Sequence, residues 1–146
     1  MKFFDLALET MPPKAIKELQ IEKLRSMFKK LYGHNRFYTD KFDTAGIDHK
    51  AIQNVNDMAQ IPLTNKEELI KAQQDNPPFG SNATFPESAY SRFHQTSGTS
   101  GKPLRVLDTP ESWEWWGRCW GFVLTGAGLT ENDRLFVPFS FGPFIG

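Results

Sequence analysis

Cysteine is nearly absent: Cys119 is the one example in 146 residues, which excludes an internal disulfide and any cysteine-based zinc cluster within this stretch. Flanking tryptophans suit a buried, inert thiol there better than a nucleophile. Net charge is missing too. Seventeen Lys and Arg balance seventeen Asp and Glu, so no nucleic acid and no membrane surface is expected as a partner. No uncharged run is long enough to span a bilayer. Acids interrupt the first residues before a secretory apolar stretch could form, so a cytoplasmic location is the default expectation. No HxxxH spacing or paired-carboxylate pattern accompanies the three histidines, and no metal site is expected within these residues.

Aromatic residues, by contrast, are plentiful: thirteen Phe and four Trp, with many of them after Glu111. The length is that of one domain able to bury a core. From Leu135 to Gly146 the chain is apolar with no closing element, which would leave an exposed patch or strand edge. The expectation is an N-terminal piece of a longer protein.

Pro12-Pro13 introduces a helix over about 14–32, with Ile21, Leu24, Phe28 and Leu31 on one stripe. A short helix over 38–45 ends at Gly46, a good left-handed cap. Thr64 and Glu67 have capping-box spacing and open a helix to about Ala72. Residues 73–87, rich in Pro, Asn and Ser, read as a long loop. Strands are expected over 89–94 and 104–108, as a hairpin with an enlarged loop. Thr109-Pro110 starts a helix whose Trp113, Trp116, Trp120, Val123 and Leu124 share a face. Trp115 and Phe122 widen that apolar surface, so the helix is expected between layers. A buried strand over 135–139 completes a strand–helix–strand crossover. The fold class is therefore α/β, a layered sheet with flanking helices and an N-terminal helical region. Residues 1–72 are mainly helical and 89–146 are α/β.

Between the hairpin strands lies Thr96-Ser97-Gly98-Thr99-Ser100-Gly101-Lys102, closed by Pro103. Glycines let successive N–H groups turn toward one point, and such concave rows of amides bind anions. Hydroxyls and an ammonium add donors suited to phosphate. The same residue types also compose ordinary surface turns. A Walker loop does not fit, because Gly98 and Gly101 are too close and Pro103 occupies its Ser/Thr position. His94, just upstream, reads as a structural histidine or a polar contact for the loop, with no acidic partner evident nearby.

In residue order this run resembles the phosphate loop of the adenylate-forming enzymes, roughly Ser/Thr-Ser-Gly-Thr-Thr-Gly-x-Pro. Thr96, Ser97, Gly98, Thr99, Gly101 and Pro103 match, and Ser100 keeps the hydroxyl. Lys102 precedes the proline and Leu104 follows it, whereas many acyl-CoA synthetases place lysine after the proline. With His94 upstream, the variant looks like the phenylacetate-CoA ligase branch. Asn35-Arg36-Phe37-Tyr38, residues 42–46, and the stretch Ile61 to Leu69 agree with it.

The resemblance implies part of the large N-terminal, AMP-binding domain of an ATP-dependent acid–thiol ligase. Such an enzyme uses ATP, magnesium and coenzyme A, converting an aryl carboxylate to acyl-AMP and then to a thioester. The partners implied are that small carboxylate and ATP, with a homodimer as a candidate assembly. Thr96 to Lys102 would hold the nucleotide phosphates. Phe139, Phe141, Gly142 and Phe144 would line the acyl pocket, although plain core packing accounts for them equally. Ser140 and Pro143 depart from the family's aromatic-glycine pattern there. No complete catalytic set falls within these residues. Adenylation with another acyl acceptor, or a non-catalytic folding or dimerisation module, are the alternatives.

Overall fold

The computed structural model of the protein describes residues 3–48, 50, 52–98 and 101–139. A first short helix, α1 (Leu6–Glu9), is capped by the Asp5 carboxylate, which accepts from the Leu8 amide. Pro13 then begins the long helix α2 (Pro13–Leu31), since proline lacks an N–H that a first turn leaves unpaired anyway. The apolar stripe falls where the spacing puts it. Leu24 and Phe28 are buried, with Ile21 and Leu31 packed beside them.

The next helix, α3 (Arg36–Thr44), begins two residues earlier than its expected start, because the Asn35 side chain accepts from the Tyr38 amide and caps it. Gly46 follows at φ +67°, the left-handed turn expected of it. Phe28 and Phe42 stack with ring centres 4.7 Å apart, and with Leu24, Ile47 and Ile52 they form the core. Removing a large side chain of this kind from water stabilises by roughly 1.5–3 kcal/mol. Asn35 is only 1% exposed. Its amide nitrogen donates to the Asn82 carbonyl and to Thr84 Oγ1 at 2.8 and 2.9 Å, so its burial leaves few polar groups unpaired.

The helix α4 (Lys66–Asp75) carries a capping box one residue later than the spacing suggests. Asn65 is the cap and Glu68 returns the bond, in place of Thr64 and Glu67. Asparagine outranks threonine as a cap, and the shift also lets Glu68 meet Lys41 of α3 at 2.7 Å. The helix runs three residues past Ala72, which shortens the loop that follows. A 3-10 turn, Glu87–Ala89, takes the start of the expected strand.

Two strands then pair antiparallel: β1 (Arg92–Gln95) with β2 (Arg105–Asp108), with Arg92 opposite Asp108 and Gln95 opposite Arg105. The last helix, α5 (Pro110–Gly126), has Pro110 at its first position and Thr109 as cap, accepting from the Ser112 amide.

Three expectations fail here. Residues 135–139 are not a strand: Phe136 is 85% exposed, and Leu135, Val137 and Phe139 are exposed as well. Among the described residues the sheet has two strands, so these residues find no neighbour to complete a ladder and the crossover does not form. The α5 helix is not enclosed between layers. None of its residues is buried, because the hairpin covers only part of its surface. Cys119 shares that exposure. The mixed helix and sheet character stands.

Candidate functional site

At the open end of the hairpin the Ser/Gly run is closed by a double clasp. The Thr96 amide donates to the Leu104 carbonyl, and the Leu104 amide donates to Thr96 Oγ1, each at 2.9 Å. The threonine hydroxyl is thus an acceptor inside the hairpin, and its proton remains for another partner. Gly98 sits at φ +72°, where a Cβ would lie 3.0 Å from the Gly101 carbonyl and from Pro103 N. Both the torsion and the space call for glycine.

The Gly101 amide donates to the Gly98 carbonyl at 2.9 Å, so this amide and that of Thr96 are committed within the loop. Ser97, Gly101 and Lys102 are exposed. The expected sites at Thr99 and Ser100 lie outside the described residues. So do Phe141, Gly142 and Phe144. Of the expected acyl-pocket residues only Phe139 is described. It is 55% exposed and its amide bonds locally to the Val137 carbonyl at 2.8 Å. The described residues do not bring it to the Ser/Gly loop.

Below the loop, His94 acquires a partner that the sequence did not reveal. Its Nε2 lies 3.6 Å from Asp108 Oδ2, too long for a hydrogen bond, and this buried nitrogen has no other partner among the described residues. Asp108 also accepts from Ser112 Oγ at 2.9 Å through its other oxygen. The imidazole stacks on Trp113, ring centres 5.2 Å apart. Arg92 lies over the same indole at 4.5 Å, a cation–π contact. From Trp113 the rings continue to Trp116 and Trp120 along α5. The signal for Asp108 was the hairpin register. Val106 faces His94, which places Asp108 on the diagonal of the same sheet face.

On its outer edge β2 is bonded by Gln73 of α4, whose amide reaches both backbone groups of Arg105. No periodicity marks this residue. Behind the same strand is a cavity of about 190 Å³, which Leu69, Phe79, Asn82 and Tyr90 help to line. A second, open groove of about 640 Å³ lies between α3 and α4. Its cations are already paired: Lys41 with Glu68 and Lys71 with Asp75, both at 2.7 Å, and Arg36 with Asp40 at 3.8 Å. The Lys41 ammonium, followed by the Asn65 amide, holds the Glu68 carboxyl below its ordinary range. No group of three metal-ligating side chains occurs among the described residues, and no described helix is long and apolar enough to cross a membrane.

No family model matches the chain. Over 139 residues, 95% of its length, it is 32% identical to the phenylacetate-coenzyme A ligase of Thermus thermophilus and 31% identical to that of Escherichia coli. It spans about a third of these relatives, 30% and 31% of their lengths. Among solved structures, 2-hydroxyisobutyryl-CoA ligase with 2-HIB-AMP and CoA, in its thioesterification state, superposes on 85% of the chain. The TM-score is 0.78 at 26% identity, and the chain covers 26% of that structure. An open conformation of the same ligase gives 0.77 at 25% identity, over 85% of this chain and 28% of that one. In sequence the chain is a homologue of the phenylacetate-coenzyme A ligases, and in fold it matches the N-terminal part of the adenylate-forming CoA ligases.

Proposed function

We propose that this chain supplies the nucleotide-phosphate loop of an ATP-dependent acid–thiol ligase acting on an aryl, phenylacetate-like carboxylate. The observation that carries the reading is the exposed Ser97 and Lys102 on a glycine-turned loop whose two roots are clasped together. In the reaction, a carboxylate oxygen attacks the α-phosphorus of ATP and the bond to pyrophosphate breaks, giving acyl-AMP. The thiol of coenzyme A, losing its proton, then attacks the acyl carbon and AMP departs. Negative charge builds on the pyrophosphate in the first step. Fixed donors aimed at that charge lower its barrier most effectively.

Thr96, Ser97, Gly98, Thr99, Ser100, Gly101 and Lys102 are the residues assigned to the phosphates. Lys102 supplies the cation and the hydroxyls supply donors. The Lys102 ammonium suits an anion and cannot ligate a cation; no step here depends on magnesium. Phe139, Phe141, Gly142 and Phe144 are assigned to the acyl pocket by likeness to the family.

A second reading, an interaction module, is favoured by the exposure of Trp115, Trp116 and Trp120. Titrating the isotope-labelled chain with magnesium-ATP and with pyrophosphate separates the two. The ligase reading expects amide shifts concentrated on 96–102. Saturating ligand with no shift in that loop would sink it.

A further inference from the structure

The helix α4 and the strand β2 are joined through one side chain. Gln73 is 8% exposed, and its amide brackets the backbone of Arg105. Nε2 donates to the Arg105 carbonyl at 2.7 Å, and Oε1 accepts from the Arg105 amide at 3.0 Å. Antiparallel ladders alternate bonded and non-bonded pairs. Since Thr96 and Leu104 form a bonded pair, the N–H and C=O of Arg105 point away from β1. Gln73 therefore gives this outward edge what a neighbouring strand would give it, one donor and one acceptor at a single residue.

Neighbouring residues are arranged around that contact. Gly80 has φ +85°, and a Cβ there would fall 2.9 Å from Gln73 Cγ and 3.2 Å from Gln73 N. Glycine lets the loop after α4 close down on the glutamine. The Arg105 guanidinium reaches the same loop, donating to the Pro78 carbonyl at 2.8 Å. Further back, the Lys41–Glu68 pair ties α4 to α3 and so to the core.

We propose that Gln73 is a positioning residue for the Ser/Gly loop: it pins the β2 root of that loop, two residues beyond Pro103, to α4. Sliding or twisting of the arm that carries Lys102 then requires breaking the amide bracket. That the loop so placed grips phosphate rests on the reading above. The linkage between α4 and the loop does not.

Two variants of the whole chain test this by amide hydrogen exchange. Gln73→Leu keeps the bulk and removes both bonds. Gln73→Glu keeps the acceptor for the Arg105 N–H but, when ionised, sets its second oxygen against the Arg105 carbonyl. Protonating the new carboxyl restores a donor and an acceptor in the original arrangement. Protection factors at Arg105, Leu104 and Thr96 should fall about tenfold or more in Gln73→Leu at every pH, the scale of two lost hydrogen bonds. In Gln73→Glu they should fall at about pH 7.5 and recover towards wild type at about pH 4.5. Phe28 and Phe42 should keep their protection throughout.

Relative to wild type at the same pH, pyrophosphate affinity should follow the same pattern. Unchanged protection in Gln73→Leu, or no recovery of Gln73→Glu on acidification, would overturn the proposal. So would general loss of protection reaching Phe28 and Phe42 in both variants, which would make Gln73 simply part of the core. Failure of pyrophosphate to bind even wild type removes the phosphate reading, while the exchange data still decide the role of Gln73.

Discussion

Thr96 and Lys102 divide the work of the loop between shape and charge. The threonine hydroxyl accepts from the Leu104 amide and so holds the mouth of the hairpin shut, while Lys102 is exposed beside it. Lys102→Ala should therefore leave the hairpin intact and weaken binding of magnesium-ATP by about tenfold, the scale of one charge-assisted hydrogen bond. Calorimetric titration measures the affinity, and unchanged β1 and β2 amide shifts verify the hairpin. An equal affinity in the variant would assign the phosphate contact to other groups. His94 carries the opposite lesson about single residues. Its acid, Asp108, is fourteen positions away in sequence and becomes a neighbour only through the hairpin register.

At the level of elements, legibility followed local chemistry. The α2 stripe, the proline start of α5 and the glycine stop after α3 all depend on neighbours within a turn or two, and each was readable. The α4 cap slipped by one because Thr64-Asn65 offers two candidate caps, and the Lys41 bond to Glu68 adds a tertiary preference. Residues 135–139 have strand-like composition, but a strand exists only with a ladder partner, and none is present among the described residues. Gln73 was invisible for a related reason: a polar residue near a helix end is ordinary until the strand it brackets is in place.

The Glu68 link also sets a pH dependence. Its carboxyl is held low in the fold, so its contribution is complete above the ordinary glutamate pKa of about 4.3. The contribution declines as pH falls through the lowered folded value. Amide protection in α4 should drop in that acidic window, and Glu68→Gln should remove this component of the drop. A variant with the same acid profile as wild type would show that the link is inert.

Across the whole molecule, the buried residues run from Leu24 to Gln73, with none in the hairpin or in α5 among the described residues. Phe28→Ala should accordingly cost about 3–5 kcal/mol and broaden or abolish the thermal transition, whereas Phe136→Ala should leave the melting temperature nearly unchanged. Comparable losses in calorimetry would mean that stability is shared by both halves. What joins α5 to the N-terminal helices is largely charged and near the surface. Arg118 meets Asp5 at 2.6 Å and Lys30 meets Glu111 at 3.2 Å. Lys23 lies over Trp115 at 4.1 Å, and Phe4 against Phe122 and Gly121 adds an apolar pin. The Debye length shrinks from about 10 Å at 0.1 M salt to about 3 Å at 1 M, so contact pairs of this kind weaken only towards molar salt, which leaves a buried phenylalanine stack untouched. Ionic strength therefore acts on this protein as a selective solvent variable: brine loosens the tryptophan helix from the N-terminal helices long before it disturbs the core.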